Sequence, residues 1–325
     1  MSEDLLVRAK NLNVKFVSRD ATVHAVNGVD FQLAQREVLC ILGESGSGKS
    51  VTLRAIMGLN PRGKTVVEGE LNVCGQDVVG ASEAQMSQLR GRQVAMIFQE
   101  PMTALDPVFT IGRQIAETIV RHESISYKDA LARALDLLEL VQIPSAKRRL
   151  EAYPHELSGG LRQRAMIAIA LSCKPKLLLA DEPTTALDAT VQIQILLLLR
   201  RLQQELGMGV IFVTHDLGVA GEIADRIAVM YAGRFVEEGP VRDVMRAPLH
   251  PYAQGLLGAT VHAGLRGKRL TTIPGAPPDL RAIAPGCSFA PRCAMVEAAC
   301  RADLPNLRSP EPGRSARCIH VNEAA

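Results

Sequence analysis

Val38-Leu39-Cys40-Ile41-Leu42-Gly43-Glu44-Ser45-Gly46-Ser47-Gly48-Lys49-Ser50 decides the fold, because an apolar run ends in GESGSGKS, which fits the pattern G-x-x-x-x-G-K-[ST]. The apolar run predicts a buried strand and the residues after it a helix. Glycines at Gly43, Gly46 and Gly48 let the backbone turn so that successive N–H groups face phosphate oxygens, and the helix that follows offers its positive end. Lys49 suits the β and γ phosphates, and the Ser50 hydroxyl suits Mg²⁺. The candidate phosphate-binding set is therefore Gly43, Glu44, Ser45, Gly46, Ser47, Gly48, Lys49, Ser50 and Val51.

Hydrolysis needs an acidic residue for the metal and a group to position water. Leu177-Leu178-Leu179-Ala180-Asp181-Glu182 supplies both at a strand end, with Asp181 on the metal side and Glu182 placed to polarise the water. A further apolar run, Val210 to Val213, ends in Thr214-His215-Asp216 and brings His215 to a strand's carboxyl end, where ligands of α/β folds bind. On its own a strand-end histidine is more often structural.

Outward from these motifs, short apolar runs (Glu37 to Leu42, Val94 to Phe98, Leu177 to Asp181, Val210 to Thr214) alternate with helical stretches, which predicts an α/β fold with a mostly parallel core sheet. Between Pro101 and Leu157 the strand pattern disappears, and Ala130, Leu131, Ala134, Leu135, Leu138 and Val141 recur at helical spacing. That predicts a helical insertion over about 101–165. After Pro248 the composition turns to Pro, Gly, Arg and Cys, so a boundary is placed there, dividing the chain into 1–247 and 248–325.

With 325 residues, 47% hydrophobic and 22% charged, the chain can bury a large core and does not have the composition of a disordered or fibrous protein. A net charge of +3, with no basic tract interleaved with aromatics, gives no sign of nucleic-acid binding. Met1 to Lys10 carries no apolar stretch long enough for a secretion signal, and apolar runs such as Ile193 to Leu199 are too short to span a membrane. A cytoplasmic location is expected, with any membrane association made through partners.

Leu157-Ser158-Gly159-Gly160, continuing through Leu161, Arg162 and Gln163, resembles the LSGGQ signature of ABC ATPases. The resemblance covers residues 1 to about 245 and implies an ABC-type nucleotide-binding domain that has an antiparallel β subdomain besides its core sheet and helical insertion. It implies ATP with Mg²⁺, hydrolysis, and a dimer in which Ser158 and its neighbours face the nucleotide of the partner cassette. Residue by residue, Gln99 matches the Q-loop glutamine that reaches Mg²⁺, Ala186, Leu187 and Asp188 match the D-loop, and His215 matches the switch histidine. Phe16 aligns with the aromatic that stacks on adenine. Leu161 and Glu100 depart from the commonest residues at their positions, away from the chemistry.

Gln99 to Pro107, His250-Pro251-Tyr252, and Ile273 to Pro278 resemble the oligopeptide and dipeptide permease ATPases. That implies a peripheral subunit on the cytoplasmic face of the bacterial inner membrane, paired with a second, related cassette. Two permease chains and an extracytoplasmic solute-binding protein complete the implied assembly. Nickel, glutathione, opine and oligosaccharide importers share the extension and stay open as alternatives, whereas a soluble ABC ATPase of DNA repair or translation would usually show a second cassette, coiled-coil insertions or basic arms. Cys287, Cys293, Cys300 and Cys318 follow as C-x5-C-x6-C-x17-C. Four thiols in a short segment suit an iron–sulfur cluster or zinc, the lack of a C-x2-C pair disfavours a zinc ribbon, and thiols with no metal role are the third reading. Subfamily members with a similar extension are proposed to hold a [4Fe–4S] cluster, which is the expectation here, with His320 as a substitute ligand.

Overall fold

The computed structural model describes residues 5–185, 187–259 and 272–322. Two compact units emerge, one built mainly from Cys74–Phe212 and one from Val7–Gln32, Val38–Val73 and the chain from Val213 onward.

In the second unit, Leu5–Val17 pairs antiparallel with Thr65–Val73, from Val7 opposite Val73 to Phe16 opposite Thr65, and has Thr22–Ala34 on its other edge. This is the antiparallel sheet that the family resemblance implies. All five side chains of Val38–Leu42 are buried, and the strand runs parallel to Arg226–Tyr231 with Leu39 opposite Arg226 and Leu42 opposite Val229. Such a fully apolar strand belongs inside a parallel sheet covered on both faces. Arg226–Tyr231 turns through Ala232 and Gly233, at φ 48° and 78°, into the antiparallel strand Arg234–Pro240.

The tail adds strands to this sheet. Arg314–Ala316 pairs antiparallel with Arg234–Pro240, and Arg308–Glu311 pairs beyond it. Glu237 lies on the receiving strand at 1% exposure and its carboxylate accepts the N–H groups of Leu249 and His250 at 2.9 and 2.8 Å. Arg314 pairs with the same carboxylate at 3.3 Å and donates to the Ala247 carbonyl. A carboxylate this deep is tolerable only with its hydrogen-bonding capacity filled, as it is here. A second anchor is aromatic: Tyr252 packs 4.6 Å from Tyr231 and 5.4 Å from Phe289, and His250 lies 5.8 Å from Phe289. Aromatics make up 3% of the chain, yet they concentrate where the Pro-rich tail meets the sheet.

In the first unit, Val94–Ile97 and Leu177–Asp181 are parallel and wholly buried, with Val94 opposite Leu177. Residues 101–157 contain no strand, as their pattern predicts. Ile111–His122 and Tyr127–Leu140 pack on each other and on Gly159–Leu171. Thr110 and Ser126 start the first two by accepting the N–H of Arg113 and Asp129. Ala130, Ala134, Leu138 and Val141 form the buried stripe, joined by Leu137, while Leu131 and Leu135 lie half-buried at its margin. Among the described residues no helix is long and apolar enough to cross a membrane.

Candidate active site

The phosphate loop is built on two glycines that admit no side chain. A Cβ on Gly43 would stand 2.2 Å from the Met230 carbonyl oxygen, and one on Gly48 2.3 Å from that of Ala25, at a φ of +108°. Gly48 then starts the helix Lys49–Ile56 with no side-chain cap, so no side chain of its own stands over the positive end of that helix. Ser47 is buried and its Oγ has no hydrogen-bond partner among the described residues. Buried Lys49 donates from Nζ to the carbonyls of Gly43 and Glu44 at 2.8 and 2.9 Å, which draws the ammonium across the loop. An uncapped helix start, the Ser47 hydroxyl and a centred ammonium fit a bound phosphate chain.

Glu44 is held from three sides. Its N–H donates to Tyr252 Oη at 2.9 Å, its carbonyl accepts from Lys49, and its carboxylate receives a two-pronged grip from Arg292 at 2.8 and 3.1 Å. Burial raises the Tyr252 phenol, which therefore stays protonated. The Glu44 carboxylate holds the Arg292 guanidinium above the usual arginine range. His250 starts the helix Pro251–Gly258 by accepting the Tyr252 N–H on Nδ1 at 3.0 Å, and its burial depresses the imidazole to about 4, so the ring is neutral. In the sequence His250 and Tyr252 are only family markers, and nothing marks Arg292 between Pro291 and Cys293.

His215 is exposed directly after the strand Gly209–Thr214, and Asp216 caps the next helix by accepting the Gly218 N–H at 2.7 Å. Phe16 is half-buried near the end of its strand.

Within the first unit, two of the predicted residues meet. Gln99, exposed just beyond Val94–Ile97, donates from Nε2 to Glu182 Oε2 at 3.3 Å. The same oxygen accepts the Thr185 hydroxyl at 3.0 Å, a contact with no signature in the sequence. Asp181 is buried at the strand end, and Glu182 follows at a φ of +46°. A left-handed glutamate costs of order 1–3 kcal/mol and is typical of positions where the backbone aims a reactive side chain.

Ser158 caps the helix Gly159–Leu171, its Oγ accepting the Leu161 N–H at 3.4 Å, and Ser158 and Gly159 are exposed. A Cβ on Gly160 would meet Val191 Cγ1 at 2.7 Å. Arg162 and Gln163 face inward instead: Arg162 binds the carbonyls of Pro154 and His155 at 2.7 and 3.4 Å, and Gln163 is buried, as is Leu157. The part of the signature open to a ligand is the Ser158–Gly159 start. Asp188 caps Ala189–Leu206 by accepting the Val191 N–H at 3.0 Å, Leu187 is half-buried, and Ala186 lies outside the described residues.

The ABC transporter family profile matches residues 26–185, and that of the oligopeptide/dipeptide transporter C-terminal region matches 236–300. A Brucella melitensis protein named for peptide import ATP binding is 48% identical over 340 aligned positions, covering 100% of both chains. The chain belongs to the ABC transporter ATP-binding family. A Sinorhizobium fredii relative, named as a peptide ABC transporter ATP-binding protein, is also 48% identical over 98% of this chain and 96% of its own. Among solved structures, the ATP-binding cassette MJ0796, dimeric with ADP and Pi, superposes with a TM-score of 0.65 at 29% identity over 73% of this chain and 99% of its own. CbiO1 of Clostridium perfringens, part of an ABC transporter complex, gives 0.65 at 27% over 75% and 92%. This ABC cassette is an ATPase for which ATP and Mg²⁺ are the expected ligands, and dimerisation and membrane permease partners follow from the family.

One expectation lacks support. Cys287, Cys293, Cys300 and Cys318 are free thiols that line a single cavity with His250, Phe289 and His320. Yet among the described residues no three His, Cys, Asp or Glu side chains are placed to hold a metal ion. Burial pushes the Cys287 and Cys318 thiols up. His320, the suggested substitute ligand, has Nε2 on the Met295 carbonyl at 2.8 Å. The [4Fe–4S] and metal-binding assignments are therefore not borne out here, and aromatic packing and the Glu237–Arg314 pair hold the tail instead.

Proposed function

We propose that this ABC ATPase powers the import of di- and oligopeptides from the cytoplasmic face of the bacterial inner membrane. It pairs there with a second, related cassette on two permease subunits served by an extracytoplasmic solute-binding protein, with no nucleic acid involved. The observation that carries this reading is the C-terminal region match at 236–300, on a chain that aligns end to end with a relative named for peptide import.

In this reading residues 1–247 form the cassette, with its helical insertion at about 101–165, and 248–325 the extension. Gly43 to Val51 take the phosphates on backbone N–H groups and Lys49, and Phe16 stacks on the adenine. Ser50, Gln99 and Asp181 would hold Mg²⁺, which neutralises phosphate charge. Glu182, aimed by its backbone and by the bonds from Gln99 and Thr185, takes the proton of the attacking water, and His215 contacts the γ phosphate. Ser158 to Gly160 of one cassette complete the site of the other, with Ala186, Leu187 and Asp188 beside the partner; Arg162 and Gln163 support that helix from behind. Closure of two cassettes on two nucleotides drives the permease, and hydrolysis resets it. A [4Fe–4S] cluster in the tail stays a proposal that rests on four thiols around one cavity.

The test is to purify the tagged subunit from membranes and identify what accompanies it. Two permease chains and a second cassette, with ATP turnover stimulated by peptide-loaded binding protein, are expected. Ribosomal or DNA-repair proteins in their place would overturn the reading. Stimulation by nickel or an oligosaccharide instead would overturn the peptide substrate alone, and absence of the visible charge-transfer band would remove the cluster alone.

A further inference from the structure

We propose that Arg292 of the C-terminal extension is a positioning residue for ATP binding, acting through Glu44 on the phosphate loop. This rests on the reading of Gly43 to Val51 as the phosphate site. The crest of that loop is its least supported part: Ser45 and Gly46 are exposed, and a Cβ on Gly46 would meet nothing within 4 Å. Glu44 is the residue on which the crest turns, since its carbonyl accepts the Ser47 N–H at 3.3 Å and also the Lys49 ammonium at 2.9 Å. Whatever fixes the Glu44 peptide fixes both the turn and the resting place of Lys49 Nζ.

The grip comes from outside the loop. Arg292 is 7% exposed and every nitrogen of its guanidinium is engaged: Nε donates to the Pro274 carbonyl at 2.8 Å, one terminal nitrogen reaches Glu44 Oε2 at 2.8 Å and Tyr231 Oη at 3.4 Å, and the other reaches Glu44 Oε1 at 3.1 Å. The two-pronged pairing fixes orientation as well as distance, which a lysine ammonium cannot do. Tyr252 completes the clamp by taking the Glu44 N–H, so two residues from beyond position 250 hold one loop residue by its backbone and its side chain. Neither needs to touch nucleotide. The clamp sets the loop before ATP arrives and so spares the ordering cost that binding would otherwise carry.

The experiment measures ATP binding with a fluorescent ATP analogue, together with KM and kcat for ATP, on the assembled transporter carrying Arg292→Ala, Arg292→Lys, Glu44→Gln or both Arg292→Ala and Glu44→Gln. Arg292→Ala should weaken binding and raise KM about tenfold, the weight of one charge-assisted hydrogen bond, with kcat at saturating ATP within about threefold of the parent. Arg292→Lys should fall between. The double variant should be no worse than the poorer single one, because both break one linkage. If Arg292→Ala fails to assemble, Arg292→Lys and Glu44→Gln carry the same test through their raised KM. Parental KM in the assembled variants, or losses that add in full in the double variant, would overturn the proposal. Lys49→Ala is the control for the underlying reading: parental ATP affinity in that variant would sink the phosphate-site assignment itself, independently of Arg292.

Discussion

Two helix starts in this chain look alike in sequence, each a serine- and glycine-rich turn, and the structure treats them in opposite ways. The start at Gly48 is locked from within, with Gly43 and Gly48 against backbone carbonyls, Lys49 folded onto the loop, and Glu44 clamped by Tyr252 and Arg292. The start at Ser158 is capped by its own serine and lies open, while behind it Gln163 is buried and half-buried Arg162 is tied to the Pro154 carbonyl. A site that binds its ligand alone is pre-set by the chain's own contacts. On the proposed reading, the start that would take a second subunit's nucleotide leaves Ser158 and Gly159 exposed.

Variants that attack the locked start should therefore cost stability, and those at the open start should cost activity. The largest effect on folding is expected from Glu237→Ala, which strands Arg314 and frees two N–H groups at the root of the tail: about 3–5 kcal/mol, read as proteolytic release of the tail or a shifted unfolding midpoint. Gly48→Ala forces a Cβ against the Ala25 carbonyl at a φ that alanine rarely adopts, and should cost about 2–4 kcal/mol together with loss of nucleotide binding in equilibrium titration. At the open start, Ser158→Ala should cost only about 1 kcal/mol, the worth of a cap, in chemical denaturation. Gly159→Ala should be neutral or stabilising by up to about 1 kcal/mol, since its Cβ meets only Leu187 at 3.6 Å, while ATPase activity of the assembled pair still falls. Equal destabilisation by Gly48→Ala and Gly159→Ala would erase the contrast.

The parts legible in the sequence were those written locally. Val38 to Ser50 predicts its own strand, turn and helix, and the apolar runs at 94–98 and 177–181 predict parallel strands, of which the first ends one residue early, at Ile97, with Phe98 exposed. The meeting of Gln99 with Glu182 bridges 83 positions, and the family resemblance, which placed Gln99 at Mg²⁺, did not name Glu182 as its partner. Arg292 gave no signal at all, because its partner lies 248 positions earlier and nothing in Pro291-Arg292-Cys293 names a glutamate as its target. Cysteine spacing drew attention to the right segment for an incomplete reason. The four thiols do line one cavity, but the segment is anchored by Tyr231, Tyr252, Phe289 and the buried Glu237–Arg314 pair, which periodicity cannot reveal.

The most direct test of the account follows turnover and assembly of Glu182→Gln in parallel. With ATP and Mg²⁺ bound, the substituted cassette should keep parental nucleotide affinity, lose about 10²–10⁴-fold in hydrolysis, and accumulate as a closed dimer by light scattering. Undiminished hydrolysis in a folded Glu182→Gln protein would contradict the assignment of Glu182 as the residue that activates water.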